Sequence, residues 1–235
     1  MPHGTRVYAI GDIHGRLDLL LSLEDKIQAH AVENPVDRAV VVYIGDYIDR
    51  GYQSRGVIDH LLEPPRHGLE RIFLKGNHED FLLRFLENVD VGPIWLVNGG
   101  RETLMSYEIA LTPAETMEQM FEAAQKELKD ALPPSHLEFL RALRISHVEG
   151  DYLFVHAGVR PGRPLEEQKT EDLLWIRDDF LESDARHCHI VVHGHTPSRN
   201  PELRSNRIGI DTGAFATGCL TCVVLEGSTQ SFLTN

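Results

Sequence analysis

The stretch Ile72-Phe73-Leu74-Lys75-Gly76-Asn77-His78-Glu79 reads as a buried strand that stops at a glycine and opens into three polar side chains. Four more stretches repeat that arrangement. Val7-Tyr8-Ala9-Ile10 runs into Gly11-Asp12-Ile13-His14-Gly15, and the apolar run at 39–44 into Gly45-Asp46-Tyr47-Ile48-Asp49-Arg50-Gly51. Tyr152-Leu153-Phe154-Val155 runs into His156-Ala157-Gly158, and Ile190-Val191-Val192 into His193-Gly194-His195-Thr196-Pro197. Five strand ends that all carry Asp, Asn or His describe one converging pocket. Carboxylate, amide oxygen and imidazole together suit hard-to-borderline divalent metals.

Between these strand ends the chain reads as helix. Leu17, Leu20, Leu21, Leu23 and Ile27 give one apolar face near the 3.6 period. A second helix is expected over 54–62, stopped by Pro64-Pro65, and a third over 79–88. The β-α-β-α-β-α order specifies an α/β layered fold. Residues 100–143 contain no β-like run, and 102–109, 113–131 and 135–143 read as helices. We read this stretch as a helical insertion packed on the sheet of a single domain spanning 1–235. Strands resume at 144–148 and 152–155 around a tight turn at Glu149-Gly150-Asp151. Thr170 is expected to cap a short helix through Trp175, and strands near Ile190, Ile208, Leu220 and Ser231 finish the chain. Residues 160–169 read as a surface loop beside the pocket.

Spacing suggests how the ligands divide. Asp12 and His14 sit two apart, and in an extended stretch such residues point the same way, so both reach one ion. Asp46 has two oxygens with which to bridge two ions, and Asn77, His156 and His195 complete the second. The order and spacing of the five motifs, from about Val7 to Asp211, resemble the phosphoprotein phosphatase branch of the calcineurin-like metallophosphoesterases. His193-Gly194-His195-Thr196-Pro197 is similar to the bacterial and phage-type form, where many eukaryotic members carry Arg-Ala-His.

The resemblance implies a four-layer αββα sandwich, with two mixed sheets face to face and helices outside. It also implies residue roles. Asp12 and His14 match ligands of a first metal, Asp46 the bridge, and Asn77, His156 and His195 ligands of a second. His78 matches the general acid, Asp49 the carboxylate that orients it, and Arg50 a phosphate clamp. Arg177, in Leu174-Trp175-Ile176-Arg177, matches a second phosphate-binding arginine on a shorter motif. The implied cofactors are two divalent ions, first Mn²⁺, with Fe or Zn²⁺ also suited to this donor set. The implied chemistry is hydrolysis of phosphomonoesters by a metal-bridging hydroxide, with protein phosphoserine and phosphothreonine as the first substrate reading. Hydrolysis of diadenosine tetraphosphate or another dinucleoside polyphosphate is the alternative. A phosphopeptide-binding protein without catalysis is a third reading, and the intact His78 and Asp49 count against it.

Composition narrows the partners. The 235 residues are 42% hydrophobic, enough for one sizeable core, and the net charge of −13 repels nucleic acid and anionic membranes. The expected partner is therefore a phosphorylated protein or a small phosphoester, with no nucleic acid and no membrane. Met1 to Arg6 holds no apolar signal core, so a cytoplasmic location is expected. Cys219-Leu220-Thr221-Cys222 has redox spacing but lies in a strand-like run, and both cysteines are expected buried. His3, His30, His60, His67, His136, His147, His187 and His189 have no partner motif and read as surface or hydrogen-bonded structural histidines. Asp178-Asp179 reads as a solvated pair. Asp211-Thr212-Gly213 ends a strand near the pocket and is given no direct role.

Overall fold

In the computed structural model, which describes residues 1–65 and 68–235, three parallel strands come first. They are β1 (Thr5–Ile10), β2 (Arg38–Tyr43) and β3 (Glu70–Phe73). The C-terminal hairpin β9 (Thr221–Glu226) and β10 (Thr229–Thr234) adds to the free edge of β1, giving the order β10-β9-β1-β2-β3. A second sheet has the order β4-β5-β6-β8-β7. It holds β4 (Ser146–Glu149), β5 (Tyr152–Val155), β6 (Ile190–His193), β7 (Glu202–Leu203) and β8 (Arg207–Gly209). Strands β5, β6 and β8 run parallel. The expected turn is present: Glu149 pairs with Tyr152 across Gly150 and Asp151.

The period of two along each strand sorts side chains between two cores. Val7 and Ala9, Val40 and Val42, and Val223 and Leu225 face the second sheet, where Tyr152, Phe154, Val192 and Ile208 meet them. Tyr8 and Ile10, Val41 and Tyr43, and Val224 face the other way, under helices. Leu153, Val155 and Val191 face the outside of the second sheet, covered by Leu173, Ile176 and Phe180. The inner strands of both sheets are thus buried on both faces, which is why they read as near-continuous apolar runs.

Helices α1 (Leu17–Glu33), α2 (Ser54–Leu62) and α3 (Asn77–Glu87) lie where the apolar periodicity placed them. The start of α3 is two residues earlier than expected, so Asn77 and His78 are its first residues rather than the loop before it. Residues 89–100, left without structure by the sequence reading, are helical: a 3-10 turn, α4 (Gly92–Trp95) and a π-type turn broken at Gly99, φ 105°. Then come α5 (Arg101–Ser106), α6 (Met117–Ala131) and α7 (Pro134–Ala142). Phe121, Leu128 and Leu140 join the core that holds Tyr47, Phe85 and Trp95, so this helical stretch packs on the first sheet. Shorter helices α8 (Thr170–Trp175), α9 (Asp178–Leu181) and α10 (Ala214–Thr217) border the second sheet and the strand ends.

Cys222 is buried as expected, but Cys219 is half-exposed just before β9, because only one cysteine of the pair falls within the strand. His136 is fully buried between Tyr107 and Asp59, while His147 and His187 each keep a buried ring nitrogen without a hydrogen-bond partner. His67 lies outside the described residues. Among the described residues, no helix is long and apolar enough to cross a membrane.

Candidate metal centre

The strand ends deliver their polar residues on unusual backbone. Among the described residues, six that are not glycine have positive φ, and five of them belong to the motifs: His14 (47°), Asp46 (52°), Asp49 (70°), Arg50 (66°) and His195 (65°). Such conformations cost about 1–3 kcal/mol each and persist where the surroundings over-determine them. Two glycines make room for the carboxylates. A Cβ on Gly76 would lie 2.0 Å from Asp46 Oδ1, and one on Gly194 2.0 Å from Asp12 Oδ1.

Seven residues named from the sequence meet in one buried cluster. Asp46 Oδ2 lies 3.6 Å from His14 Nε2, 3.4 Å from His156 Nε2 and 3.8 Å from His78 Nε2. Asn77 Oδ1 lies 2.8 Å from both His156 Nε2 and His195 Nδ1. Asp12 accepts the backbone N–H of His195 at 3.0 Å, which ties the end of β1 to the end of β6. Two sets of potential ligand atoms, His14–Asp46–His78 and Asp46–His156–His195, each fall within a 4.8 Å sphere of mutual approach and share Asp46.

The donor set fits divalent cations on its hydrogen bonding. His14 Nδ1 donates to Ile48 O at 2.9 Å, and His156 Nδ1 to Ile44 O at 3.1 Å. Each ring therefore turns its Nε2 inward, toward the oxygens of Asp46 and Asn77, and at the neutral His14 that atom carries a lone pair. Lone pairs converging on carboxylate and amide oxygens are satisfied by a shared cation. His195 Nε2 is buried without a hydrogen-bond partner. Burial pushes His14 down to about 3 and His195 to about 2, so both rings stay neutral and able to ligate. Burial also opposes charge on His156, yet Asp46 beside it holds it up to about 9. Asp12 is pushed well up by burial and by the carboxylate of Asp211. The shifts of His156 and Asp12 show the carboxylates crowded beside them, whereas those of His14 and His195 come first from burial.

His78 stands apart from the other imidazoles. Its Nδ1 donates to Asp49 Oδ2 at 2.7 Å, leaving Nε2 facing the cluster, 3.4 Å from Arg50 Nη2. Burial disfavours a charged His78, but the carboxylates of Asp46 and Asp49 outweigh it and raise its pKa. Arg50 is half-buried, with its guanidinium carbon 4.8 Å from the centre of the Phe215 ring. Arg177 is exposed and sits one step further out, its Nη1 donating to Thr196 Oγ1 at 3.2 Å. It lines a cavity with Arg160, Lys169 and Trp175, and the Trp175 ring lies 6.2 Å from that of His195.

Several residues beside the site carry no sequence signal of their own. Glu79, fully buried, accepts the N–H groups of Gly76 (2.8 Å), Asp46 (2.9 Å) and Tyr47 (2.8 Å), so one carboxylate pins two motifs together. Asp49 accepts from Trp95 Nε1 at 2.9 Å and from Thr103 Oγ1 at 2.6 Å, while its own N–H donates to the hydroxyls of Ser54 and Thr103. The helical stretch thus reaches into the site. Asp211 is buried and accepts from Gly213 N at 2.8 Å; its charge acts on Asp12. His193 points to the far side of its strand, edge-on to Phe180 at 5.1 Å, away from the cluster. Asp178 and Asp179 are exposed as expected, with Asp179 paired to Arg160 at 2.8 Å.

Comparison with known proteins agrees with this geometry. The family model described as calcineurin-like phosphoesterase matches residues 5–217. A bis(5'-nucleosyl)-tetraphosphatase PrpE (asymmetrical) of Halalkalibacterium halodurans is 28% identical over 91% of this chain and 87% of its own. The protein of the same description from Bacillus thuringiensis is 27% identical over 91% and 88%. Among solved structures, that of a candidate diadenosine tetraphosphatase superposes with a TM-score of 0.59 at 20% identity, covering 98% of this chain and 93% of the other. A cold-active protein tyrosine phosphatase superposes with a TM-score of 0.58 at 18% identity, covering 99% and 81%. These two likenesses concern the fold. The chain belongs to the calcineurin-like phosphoesterase family.

Proposed function

We propose that this chain hydrolyses a dinucleoside polyphosphate of the diadenosine tetraphosphate kind, cutting the tetraphosphate unequally into a nucleoside monophosphate and a triphosphate. The observation that carries this reading is the match, over nine-tenths of the chain, to relatives described by that activity. The protein serine/threonine phosphatase reading, placed first on the motifs alone, moves to second place. The motifs belong to the shared phosphoester chemistry and do not separate the two substrates.

Asp12, His14, Asp46, Asn77, His156 and His195 would hold two divalent ions, with Mn²⁺ the first choice and Fe or Zn²⁺ also suited to this donor set. When bound, such ions neutralise phosphate charge and make a water-derived nucleophile available near neutral pH. The remaining steps fall to side chains. Arg50, and Arg177 further out, bind phosphate oxygens through charge-assisted hydrogen bonds. His78 holds a proton at Nε2 for the departing oxygen. Asp49 keeps Nδ1 protonated and the ring fixed, a positioning role. Trp95 and Thr103 keep the Asp49 carboxylate in one plane.

The test is a side-by-side comparison of kcat/KM on diadenosine tetraphosphate, a phosphoserine peptide and p-nitrophenyl phosphate, with Mn²⁺ supplied and products separated by chromatography. The expected result is the highest kcat/KM on the dinucleotide, with adenosine monophosphate and triphosphate as products. Preference for the phosphopeptide, or two equal diphosphate products, overturns the reading.

A further inference from the structure

Beside Arg50 opens a cavity of about 430 Å³ whose walls include Leu96, Val97, Asn98, Glu102 and Phe215. We propose that it is a nucleoside subsite, in which one base of the substrate lies against Phe215; this rests on the dinucleotide reading above. Four observations carry it. Phe215 presents an aromatic ring that is 38% exposed, large for a phenylalanine so close to a buried cluster. Its edge contacts His14, with ring centres 5.6 Å apart, and Arg50 lies over it, so the cavity is continuous with the catalytic cluster. Leu96 and the 87%-exposed Val97 add apolar surface to the lining of the same cavity. Glu102 is half-buried in that wall, with no hydrogen bond or ion pair among the described residues. A carboxylate only accepts, and a nucleoside offers N–H and O–H donors.

The arrangement places opposite demands at the two ends of one cavity. Arg50 supplies positive charge at the end nearest the cluster, where phosphate belongs. Phe215 and Glu102 supply stacking surface and an acceptor, which suit a base and a sugar and repel phosphate. The backbone holds the two together: the Arg50 N–H donates to Gly99 O at 3.1 Å, and only glycine fits there, since a Cβ would lie 2.6 Å from Arg50 N. The helical segment that forms the base wall is thereby fastened to the phosphate arginine. The volume lies within the usual range for small-ligand sites.

The test measures equilibrium binding of adenosine monophosphate and of inorganic phosphate to Mn²⁺-loaded protein. Wild type is expected to bind the nucleotide at least about tenfold tighter than phosphate. In Phe215→Ala the nucleotide should weaken by roughly 5–100-fold, the ordinary worth of a stacked base, with phosphate unchanged within about twofold. Phe215→Trp should restore nucleotide binding. Glu102→Gln removes a negative charge from the cavity wall, so phosphate affinity should hold or rise while nucleotide affinity falls. Equal affinities in wild type overturn the subsite. So does a parallel loss of both ligands in Phe215→Ala, which marks Phe215 as a prop for His14 and Arg50. If nucleotide binding follows the pattern while a phosphopeptide remains the better substrate, the subsite stands and the dinucleotide reading falls.

Discussion

Replacing Thr103 by valine is the sharpest test of how the site is held. The substitution keeps the branched shape and removes one hydroxyl. That hydroxyl donates to Asp49 Oδ1 at 2.6 Å and accepts the Asp49 N–H at 2.9 Å. The N–H retains Ser54 Oγ at 3.0 Å, so it is not left bare. The carboxylate falls from three side-chain donors (His78, Trp95 and Thr103) to two, and the fully buried Oδ1 loses the hydroxyl that donates to it. Losing a hydrogen bond to a buried charge costs about 1.5–3 kcal/mol. For a chain of this size each kcal/mol lowers Tm by about 2–4 °C, so a fall of roughly 3–12 °C is expected by calorimetry. The effect on turnover separates a positioning role from a merely structural one. A carboxylate free to rotate no longer fixes the His78 ring, and kcat on an alkyl phosphate should fall by roughly 10–100-fold, short of the 10²–10⁴-fold expected when the acid itself is removed. The loss should shrink for an aryl phosphate, whose leaving group needs less protonation, and metal content should not change. A lowered Tm with kcat on the alkyl phosphate intact would show that Thr103 only fastens α5 to the loop, and the chain from insertion to acid would be refuted.

Three further outcomes follow from the same geometry. Asp46→Asn should be among the most damaging single changes, because Asp46 is shared by both ligand sets; elemental analysis should find both metals depleted, and chelation of the wild type should abolish activity. His78→Asn should keep the metals and slow alkyl phosphates by about 10²–10⁴-fold, but slow diadenosine tetraphosphate less, since a polyphosphate leaving group carries its charge without a proton. Arg50→Ala should lower kcat/KM by about 10–100-fold, from about 1.5–3 kcal/mol for one charge-assisted contact, and weaken inhibition by inorganic phosphate in parallel; reduced metal content with unchanged phosphate inhibition would make Arg50 a loop support instead.

The residues of the cluster were legible because each lies just past a strand that must be buried and has a glycine close by: Gly11 before Asp12, Gly45 before Asp46, Gly158 after His156, Gly194 before His195. Apolar periodicity located those strands and the helices α1 and α2. It failed at 89–100, where Gly92, Pro93, Gly99 and Gly100 punctuate helical turns and read as loop. That failure hid Trp95, whose role depends on a contact 46 positions back in the chain. The task of Glu79 is invisible in its motif, since a carboxylate that serves four backbone N–H groups looks the same in sequence as a solvated one. Substrate preference lay beyond the motifs altogether. Phe215 and Glu102 occupy ordinary helical positions, and only their meeting beside Arg50 gives them meaning.

The left-handed backbone at His14, Asp46, Asp49, Arg50 and His195 has a consequence for how such chains drift. At these five positions the main chain is eased most by glycine, while the proposed reaction asks for acid, imidazole or guanidinium; the conflict is sharpest at Arg50, since aspartate and histidine tolerate this backbone better. A copy released from catalysis would gain stability by giving way at these positions first. Related sequences can therefore be sorted by inspection. Those that keep all five bear a conformational burden that the proposed centre accounts for, and those that have slid to glycine have set it down.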